Sequence, residues 1–174
     1  MRRAPARCVV LAADGGGVHD AEAQAVEVLR LPLDTPDACN LLTSFGGAAP
    51  ASSLAGAYLG SGCRVCVTAA TTKFGVTVSF PAPGNVTLAL SAQVRTTPGT
   101  VAPTGFAAAL LGPNDAPPAP PVGTLPGEWT PATVTRATNA PQPFSAALIG
   151  SAPTLTAGTQ TCFDVDEIFV RASP

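Results

Sequence analysis

Three acidic residues near the end of the chain are the residues best suited to chemistry. They are Asp164, Asp166 and Glu167, within the stretch CFDVDEIFV. Carboxylate oxygens bind hard cations such as calcium. On an edge strand, the same charges would instead discourage sheet-to-sheet aggregation. The apolar residues between the acids predict a strand in either case, and both interpretations of the acids stay open.

The apolar residues of this strand also predict a break in its alternation. Val165 and Ile168 can both pack inward only if the register shifts by one residue between them. A β-bulge at Asp166–Glu167 would provide that shift and bring both carboxylates towards one side. The sequence therefore predicts a bulge here, with a cation site beside it.

The elements that must position these acids follow from composition. Only 11% of the residues are charged, and 19 Pro and 17 Gly interrupt the chain often enough to exclude long helices. Many short Thr- and Val-rich runs lie between these interruptions. We therefore predict an all-β fold, an antiparallel two-sheet β-sandwich of the jelly-roll type with an N-terminal arm or small hairpin. The predicted division is an anchoring segment over 1–37 and the sandwich over 38–174.

Alternation and turn residues place the strands along the chain. They are predicted at 25–31, 39–45, 63–71, 74–80, 86–96, 104–112, 128–138, 144–150 and 162–172. The closing strand is expected beside 39–45, since strands of such folds pair across the sequence. The Pro-rich loop at 113–127 is long for a compact domain and is a candidate contact surface.

Several classes of function are excluded by composition. A net charge of -2 argues against nucleic-acid binding, and no apolar run is long enough for a membrane span. The basic start followed by CVVLAA imitates a signal peptide, but DGGG interrupts the apolar stretch, so we expect synthesis in a host cytoplasm without such a signal. His19 is the single histidine and lies in a turn, so no catalytic triad is indicated and we expect no enzyme.

The five cysteines predict buried thiols more readily than a metal site. Without a signal peptide, the thiols are expected to be reduced. Cys63 and Cys66 have the C-x-x-C spacing, but in a strand these positions face opposite sides, so core packing is favoured over zinc. One or two disulfides remain open, and Cys8–Cys39 is one candidate.

Four segments in order carry a resemblance to a known family. They are NLLTSFGG at 40–47, NVTLALSAQVRT at 85–96, EWTPATVT at 128–135 and FDVDEIFV at 163–170. In order and spacing the chain resembles, over about 40–171, the jelly-roll carbohydrate-binding modules and their galactose-binding-like relatives, including forms displayed on phage virions.

The resemblance implies a structural calcium at Asp166, with Glu167 beside it. The acidic residue that often follows the opening Phe is absent here, because Gly46 follows Phe45. Sugar binding in the family relies on aromatic platforms, and the chain has one Trp and one Tyr. Trp129 matches a position that is usually core, so Tyr58 is the candidate platform for a glycan.

The leading hypothesis is a non-enzymatic virion structural protein, a bacteriophage capsid decoration or tail-associated protein. Low charge favours a homo-oligomer that also contacts other capsid or tail proteins. Anchoring would use Cys8, Val9, Val10 and Leu11. The alternative is a stand-alone carbohydrate-binding module, with calcium near Asp166 and sugar contacts at Tyr58 or in the loop 113–127.

Overall fold

A computed structural model describes residues 24–174 of the chain. Ten strands and one short 3₁₀ helix make up this part. In chain order they are β1 (Val26–Leu31), the 3₁₀ helix (Pro36–Leu41), β2 (Thr43–Phe45), β3 (Ser52–Ala57), β4 (Gly60–Val67), β5 (Thr71–Ala82), β6 (Val86–Thr96), β7 (Gly105–Leu111), β8 (Thr130–Thr138), β9 (Gln142–Ala152) and β10 (Thr161–Ser173).

The strands form two antiparallel sheets that pack face to face. Sheet I has the order β3-β4-β10-β6-β8, and β1 pairs with the second half of β10 on the side where β4 pairs with the first half. Sheet II has the order β2-β5-β9-β7. Because neighbours within each sheet come from distant parts of the sequence, the fold is the predicted two-sheet jelly-roll sandwich.

Strict alternation explains how the core between the sheets forms. In β6, Leu88, Leu90, Ala92 and Val94 are buried, while Ala89, Ser91 and Gln93 between them face outward. In β5, Phe74, Val76 and Phe80 are buried in the same way. Each of these two strands thus turns one face to the core, as a period of two residues requires.

Residues 24–37 do not separate from the sandwich at the predicted boundary. Strand β1 pairs with β10 across five residue positions, and no hairpin of its own occurs between 24 and 37. Leu31 and Leu33 both belong to the main core. Residues 24–37 of the predicted anchoring segment 1–37 are therefore part of the sandwich, and residues 1–23 lie outside the described residues.

The predicted strands are confirmed where apolar and polar residues alternate cleanly, and two other segments differ from the prediction. The predicted strand 86–96 coincides with β6. The predicted strand 39–45 is wrong in its first half, because Cys39 lies in the 3₁₀ helix and only β2 follows. Strand β3 was not predicted, since its sequence SSLAGA has no apolar alternation.

The expected partner of the closing strand is also corrected. Strand β10 pairs with β1, β4 and β6, whereas β2 pairs with β5 in the other sheet. An early strand does lie beside β10, but it is β1.

Candidate functional site

The outer face of sheet I carries polar and aromatic side chains in ordered rows. In β6 the outward residues are Ala89, Ser91, Gln93 and Arg95. Ala89, Ser91 and Gln93 each lie opposite a residue of β8 on one side and of β10 on the other, and Arg95 lies opposite Asp164 of β10. Every second residue of β6 therefore lies in a row with its partners on the neighbouring strands, and these rows form one continuous surface.

Asp164 lies in the first of these rows, between two arginines. It is fully buried, and its carboxylate accepts bonds from the Nε atoms of Arg64 and Arg95, each at 3.0 Å. The Thr97 hydroxyl donates a third bond, at 2.6 Å. Both oxygens of Asp164 are engaged, so this residue is neither a solvated edge charge nor a free cation ligand.

Arg95 links this ion pair to two aromatic rings. Its guanidinium lies 4.6 Å from the centre of the Trp129 ring, a cation–π contact. The Tyr58 ring meets Trp129 edge-on, with centroids 6.2 Å apart. We call Tyr58, Arg95 and Trp129 the aromatic platform. Its residues come from the β3–β4 turn, from β6 and from the position before β8.

The position of Trp129 corrects one prediction, whereas the role of Tyr58 as a glycan platform stays a prediction. Trp129 was expected in the core, but it is only partly buried and lies on the outer face of sheet I. Tyr58, the predicted platform residue, is 47% exposed. Two rings, not one, are therefore available at this surface.

Asp166 holds the β3–β4 turn against the outer face. It is fully buried; its Oδ2 accepts the backbone N–H of Leu59 at 3.0 Å and its Oδ1 that of Glu167 at 2.8 Å. Burial raises the pKa of Asp166, and these backbone donors partly oppose the rise. Since Leu59 follows Tyr58, this carboxylate positions the exposed ring.

The predicted bulge at Asp166–Glu167 is confirmed. The register of β10 against β6 shifts between Asp166 and Phe169, and Glu167 has φ +49°. Ile168 consequently points into the core, as predicted. Burial raises the pKa of Glu167, and the charges of Asp166 and Asp34 raise it further.

The described contacts do not fit a calcium site built from acidic side chains. Within residues 24–174, no three metal-ligating side chains of His, Cys, Asp or Glu gather together. Each oxygen of Asp166 already accepts a backbone N–H. Calcium prefers six to eight oxygen ligands. Calcium binding at Asp166 and Glu167 stays an untested prediction.

Four of the five cysteines form disulfides, which corrects the expectation of reduced thiols. Cys39 is bonded to Cys63, and Cys66 to Cys162. The proposed Cys8–Cys39 pair is therefore wrong. The expectation that Cys63 and Cys66 point apart is confirmed, because they bond to partners in different parts of the fold.

The Pro-rich loop 113–127 packs back on the sandwich. Lys73 Nζ on β5 donates to the Pro117 carbonyl at 2.7 Å. Asp115 accepts a bond from the backbone N–H of Gly112 at 2.8 Å and forms an ion pair with Arg136 of β8. This loop therefore holds intramolecular contacts with both sheets, although Val122 at its far end is 99% exposed.

Comparison with solved structures identifies the fold. The CBM22-1 xylan-binding domain of Paenibacillus barcinonensis Xyn10C is 15% identical, with a TM-score of 0.63 over 88% of this chain and 98% of that domain. A family 35 carbohydrate-binding module of Clostridium thermocellum is 16% identical, with a TM-score of 0.51 over 85% and 98%. The chain thus has the β-sandwich fold of carbohydrate-binding modules.

A larger structure contains the same fold as one part. It is the Clostridium thermocellum xylanase 10B CBM22-1-GH10 structure with xylohexaose, 13% identical, with a TM-score of 0.58 over 83% of this chain and 28% of that one. No protein-family model and no curated protein matches the sequence. At these identities the likeness concerns the fold alone.

The predicted anchoring residues and a membrane span are the remaining points to compare with the structure. Cys8, Val9, Val10 and Leu11 lie outside the described residues, so anchoring stays a prediction. Among residues 24–174, no helix is long and apolar enough to cross a membrane. Arg64, Arg95 and Asp164 were not predicted to act together, because nothing in the sequence indicates that β10 lies between β4 and β6.

Proposed function

We propose that this protein is a non-catalytic carbohydrate-binding module and that the aromatic platform contacts the sugar. The observation that carries this proposal is the exposed Tyr58–Trp129 pair, held by Arg95 on the outer face of sheet I. Ligand sites combine aromatic surface with a few placed polar groups. A pyranose ring offers an apolar C–H face to an aromatic ring and hydroxyls to a guanidinium.

The electrostatics of the platform support this role. Arg95 Nε is held by Asp164, so the guanidinium is fixed in orientation under the Trp129 ring. Because the guanidinium is planar, this bond also fixes the orientation of the two terminal nitrogens of Arg95. A pre-oriented donor beside an aromatic ring costs little conformational entropy on binding.

The fold of the neighbours supports the same conclusion. One structural neighbour is described as a xylan-binding domain, and another structure contains xylohexaose. Xylan and xylo-oligosaccharides are therefore the first ligands to test. Calcium near Asp166 is not needed for this proposal, because the platform is held by protein groups.

A virion role was the leading hypothesis, and no observation on the described residues favours it. The carbohydrate-binding alternative has the support of the fold and of the platform. Anchoring through residues 8–11, assembly into a capsid or tail, homo-oligomers and a virion location all stay predictions. The two disulfides support folding in an oxidising environment, which a reducing cytoplasm does not supply.

The experiment uses the single tryptophan as a reporter. Trp129 fluorescence is titrated with soluble xylan, mannan and galactan, and binding is checked by gel retardation. We expect one polysaccharide to shift the fluorescence, and Tyr58→Ala to weaken its binding about tenfold, the equivalent of about 1.4 kcal/mol. Trp129→Ala should abolish gel retardation.

A matched control lies on the opposite sheet. Phe45 is also a partly buried aromatic residue, but it packs on the outer face of sheet II. Phe45→Ala should leave gel retardation unchanged. Absence of any fluorescence shift with all three polysaccharides, or normal retardation of Trp129→Ala, would overturn the proposal.

A further inference from the structure

A cavity lies on the outer face of sheet I, the same face that carries the aromatic platform. It has a volume of about 480 Å³. Its outward-facing side chains are Ala89, Ser91, Thr133, Thr135, Phe169 and Arg171. We call this cavity the Phe169 pocket. None of its residues belongs to the platform, and none was singled out by the sequence.

Strand pairing explains how the Phe169 pocket is assembled. Ser91 lies opposite Thr133 on one side and Phe169 on the other. The next row along places Ala89 between Thr135 and Arg171 in the same way. Small residues of β6 therefore form the floor, and the larger side chains of β8 and β10 form the walls. The bulge is required, because without its register shift Phe169 would face the core.

The chemistry of the pocket resembles that of the platform. Each combines an aromatic ring with an arginine, and the pocket adds the hydroxyls of Ser91 and Thr133. Arg171 is exposed and forms no ion pair within residues 24–174. Its guanidinium is thus free to donate to a ligand. A neutral polyhydroxylated ligand fits this mixture of a ring, hydroxyls and donors.

The charges around the pocket also favour a neutral ligand. Arg30 of β1 lies over the Phe169 ring, with its Cζ 5.7 Å from the centroid. Glu27 lies opposite Arg171 in the β1–β10 pairing. Burial raises the pKa of Glu167, and the charge of nearby Arg30 partly opposes that rise. Arg171 in the pocket and Arg30, Glu27 and Glu167 near it thus have formal charges that cancel.

Distance along the strands connects the two sites. Arg95 of the platform and Ser91 of the pocket are four residues apart on β6. At about 3.3 Å per residue, the two sites are separated by about 13 Å along the strand. Between them lie Gln93, which is partly buried, and Pro131, which is exposed, so no aromatic side chain of the β6–β8 pair separates the two sites.

We propose that the Phe169 pocket is a second sugar subsite, and that the ligand is an extended neutral oligosaccharide lying along β6 from the platform to this pocket. This inference rests on the proposed function, because it continues the same binding surface. A ligand that occupies both sites must contain several sugar units. Arg171 and the two hydroxyls would donate to or accept from sugar hydroxyls, and the Phe169 ring would contact a sugar face.

The test compares short and long ligands on matched variants. Trp129 fluorescence is titrated with the disaccharide and the hexasaccharide of the polysaccharide that the protein binds, beginning with xylobiose and xylohexaose. The wild-type protein should bind the hexasaccharide at least about tenfold more tightly than the disaccharide. Phe169→Ala and Arg171→Ala should each weaken hexasaccharide binding, by about tenfold for the aromatic change, and leave disaccharide binding unchanged.

Failure of this inference is distinguishable from failure of the proposed function. Equal affinities for the disaccharide and the hexasaccharide, or unchanged hexasaccharide binding by both variants, would overturn the second subsite. Sugar binding at the aromatic platform would not be affected by that result. Equal weakening of both lengths would also overturn the second subsite. If no sugar changes Trp129 fluorescence, the proposed function itself fails. Arg171 is exposed, so its variant tests the pocket even if Phe169→Ala is unstable.

Discussion

At the scale of single residues, the two buried aspartates of β10 have different roles. Asp164 is neutralised by two arginines and joins β4 to β6, whereas Asp166 accepts backbone N–H groups and holds a turn. A buried carboxylate requires such partners, because burial without them is costly. The acids that first suggested a cation site thus have protein donors for their oxygens.

Removal of Asp164 should strongly destabilise the protein. Asp164→Ala leaves Arg64 and Arg95 without their partner in a partly buried setting, and we expect a loss of about 3 kcal/mol in the free energy of unfolding. Arg95 would also lose its orientation under Trp129, so the fluorescence of the folded variant should shift. Chemical denaturation measures the first effect and an emission spectrum the second.

The more exposed ion pair provides the control for that prediction. Asp115 and Arg136 are each 38% exposed in their side chains, and Asp115→Ala should change stability little. A similar effect from both substitutions would contradict the role assigned to Asp164.

Asp166 should make stability depend on pH in a defined direction. Its pKa is raised in the fold, so the folded state takes up a proton before the unfolded state does as pH falls. The contribution is full below the unfolded value of about 3.9 and is lost as pH rises through the folded pKa. Wild type should therefore gain stability relative to Asp166→Asn between about pH 7 and pH 4.

Neighbouring charges and a control with the opposite sign sharpen this test. The charge of Asp34 adds to the rise in the pKa of both Asp166 and Glu167, and the charge of Arg30 opposes the rise for Glu167. The pKa of Asp115 is instead lowered, first by the Gly112 N–H and then by Arg136. Its contribution, which is small because the pair is exposed, is lost as pH falls, so the wild type should lose a little stability relative to Asp115→Asn in urea midpoints. Identical pH profiles for the two variants would contradict the prediction.

At the scale of elements, the bulge and the disulfides decide how sheet I is built. The bulge lets β10 bury Val165 and Ile168 on one face while Phe169 reaches the other. Cys66–Cys162 joins β4 to β10 inside the sheet, and Cys39–Cys63 joins the 3₁₀ helix to β4. Strand β4 is thus tied to elements on both of its faces.

The two disulfides should differ in their effect on stability. Their cysteines are separated by 24 and 96 residues. By loop-closure entropy, the Cys39→Ala/Cys63→Ala pair should lose about 3 kcal/mol and the Cys66→Ala/Cys162→Ala pair about 5 kcal/mol. Urea denaturation of both variants measures this order. The reverse order, or no effect of dithiothreitol on the wild-type midpoint, would contradict it.

At the scale of the whole molecule, the sandwich includes residues that composition assigned to an anchoring segment. Leu33 is fully buried in the main core and has φ +59°, a conformation that costs energy for a non-glycine residue. Its burial offsets that cost. The segment that links β1 to the 3₁₀ helix is therefore integral to the fold.

Truncation of Leu33 should test that conclusion. Leu33→Ala removes a fully buried side chain, and we expect it to cost about 2 to 5 kcal/mol of unfolding free energy. Val26→Ala, on β1 but 63% exposed, is the control and should change little. If both variants unfold like the wild type, residues 24–37 do not belong to the cooperative unit.

Part of the fold and part of the site could be predicted from the sequence. The alternation in β6 and the broken alternation in β10 are properties of local sequence, so both were predicted correctly. Strand β3 could not be predicted, because Ser, Ala and Gly have little intrinsic strand preference and pairing with β4 supplies its structure. Trp129 was misplaced because its core position was taken from the resemblance, whereas its ring packs on Arg95 of β6 on the outer face.

The sequence by itself determined the all-β class, the outward and inward faces of the main strands and the bulge at Asp166–Glu167. These features depend on residue spacing within one strand, which the alternation of side chains encodes directly. Only the tertiary structure decided which cysteines pair, which arginines meet Asp164, and that Tyr58 and Trp129 share one face with the Phe169 pocket. These features depend on which strands become neighbours, and jelly-roll neighbours are distant in sequence.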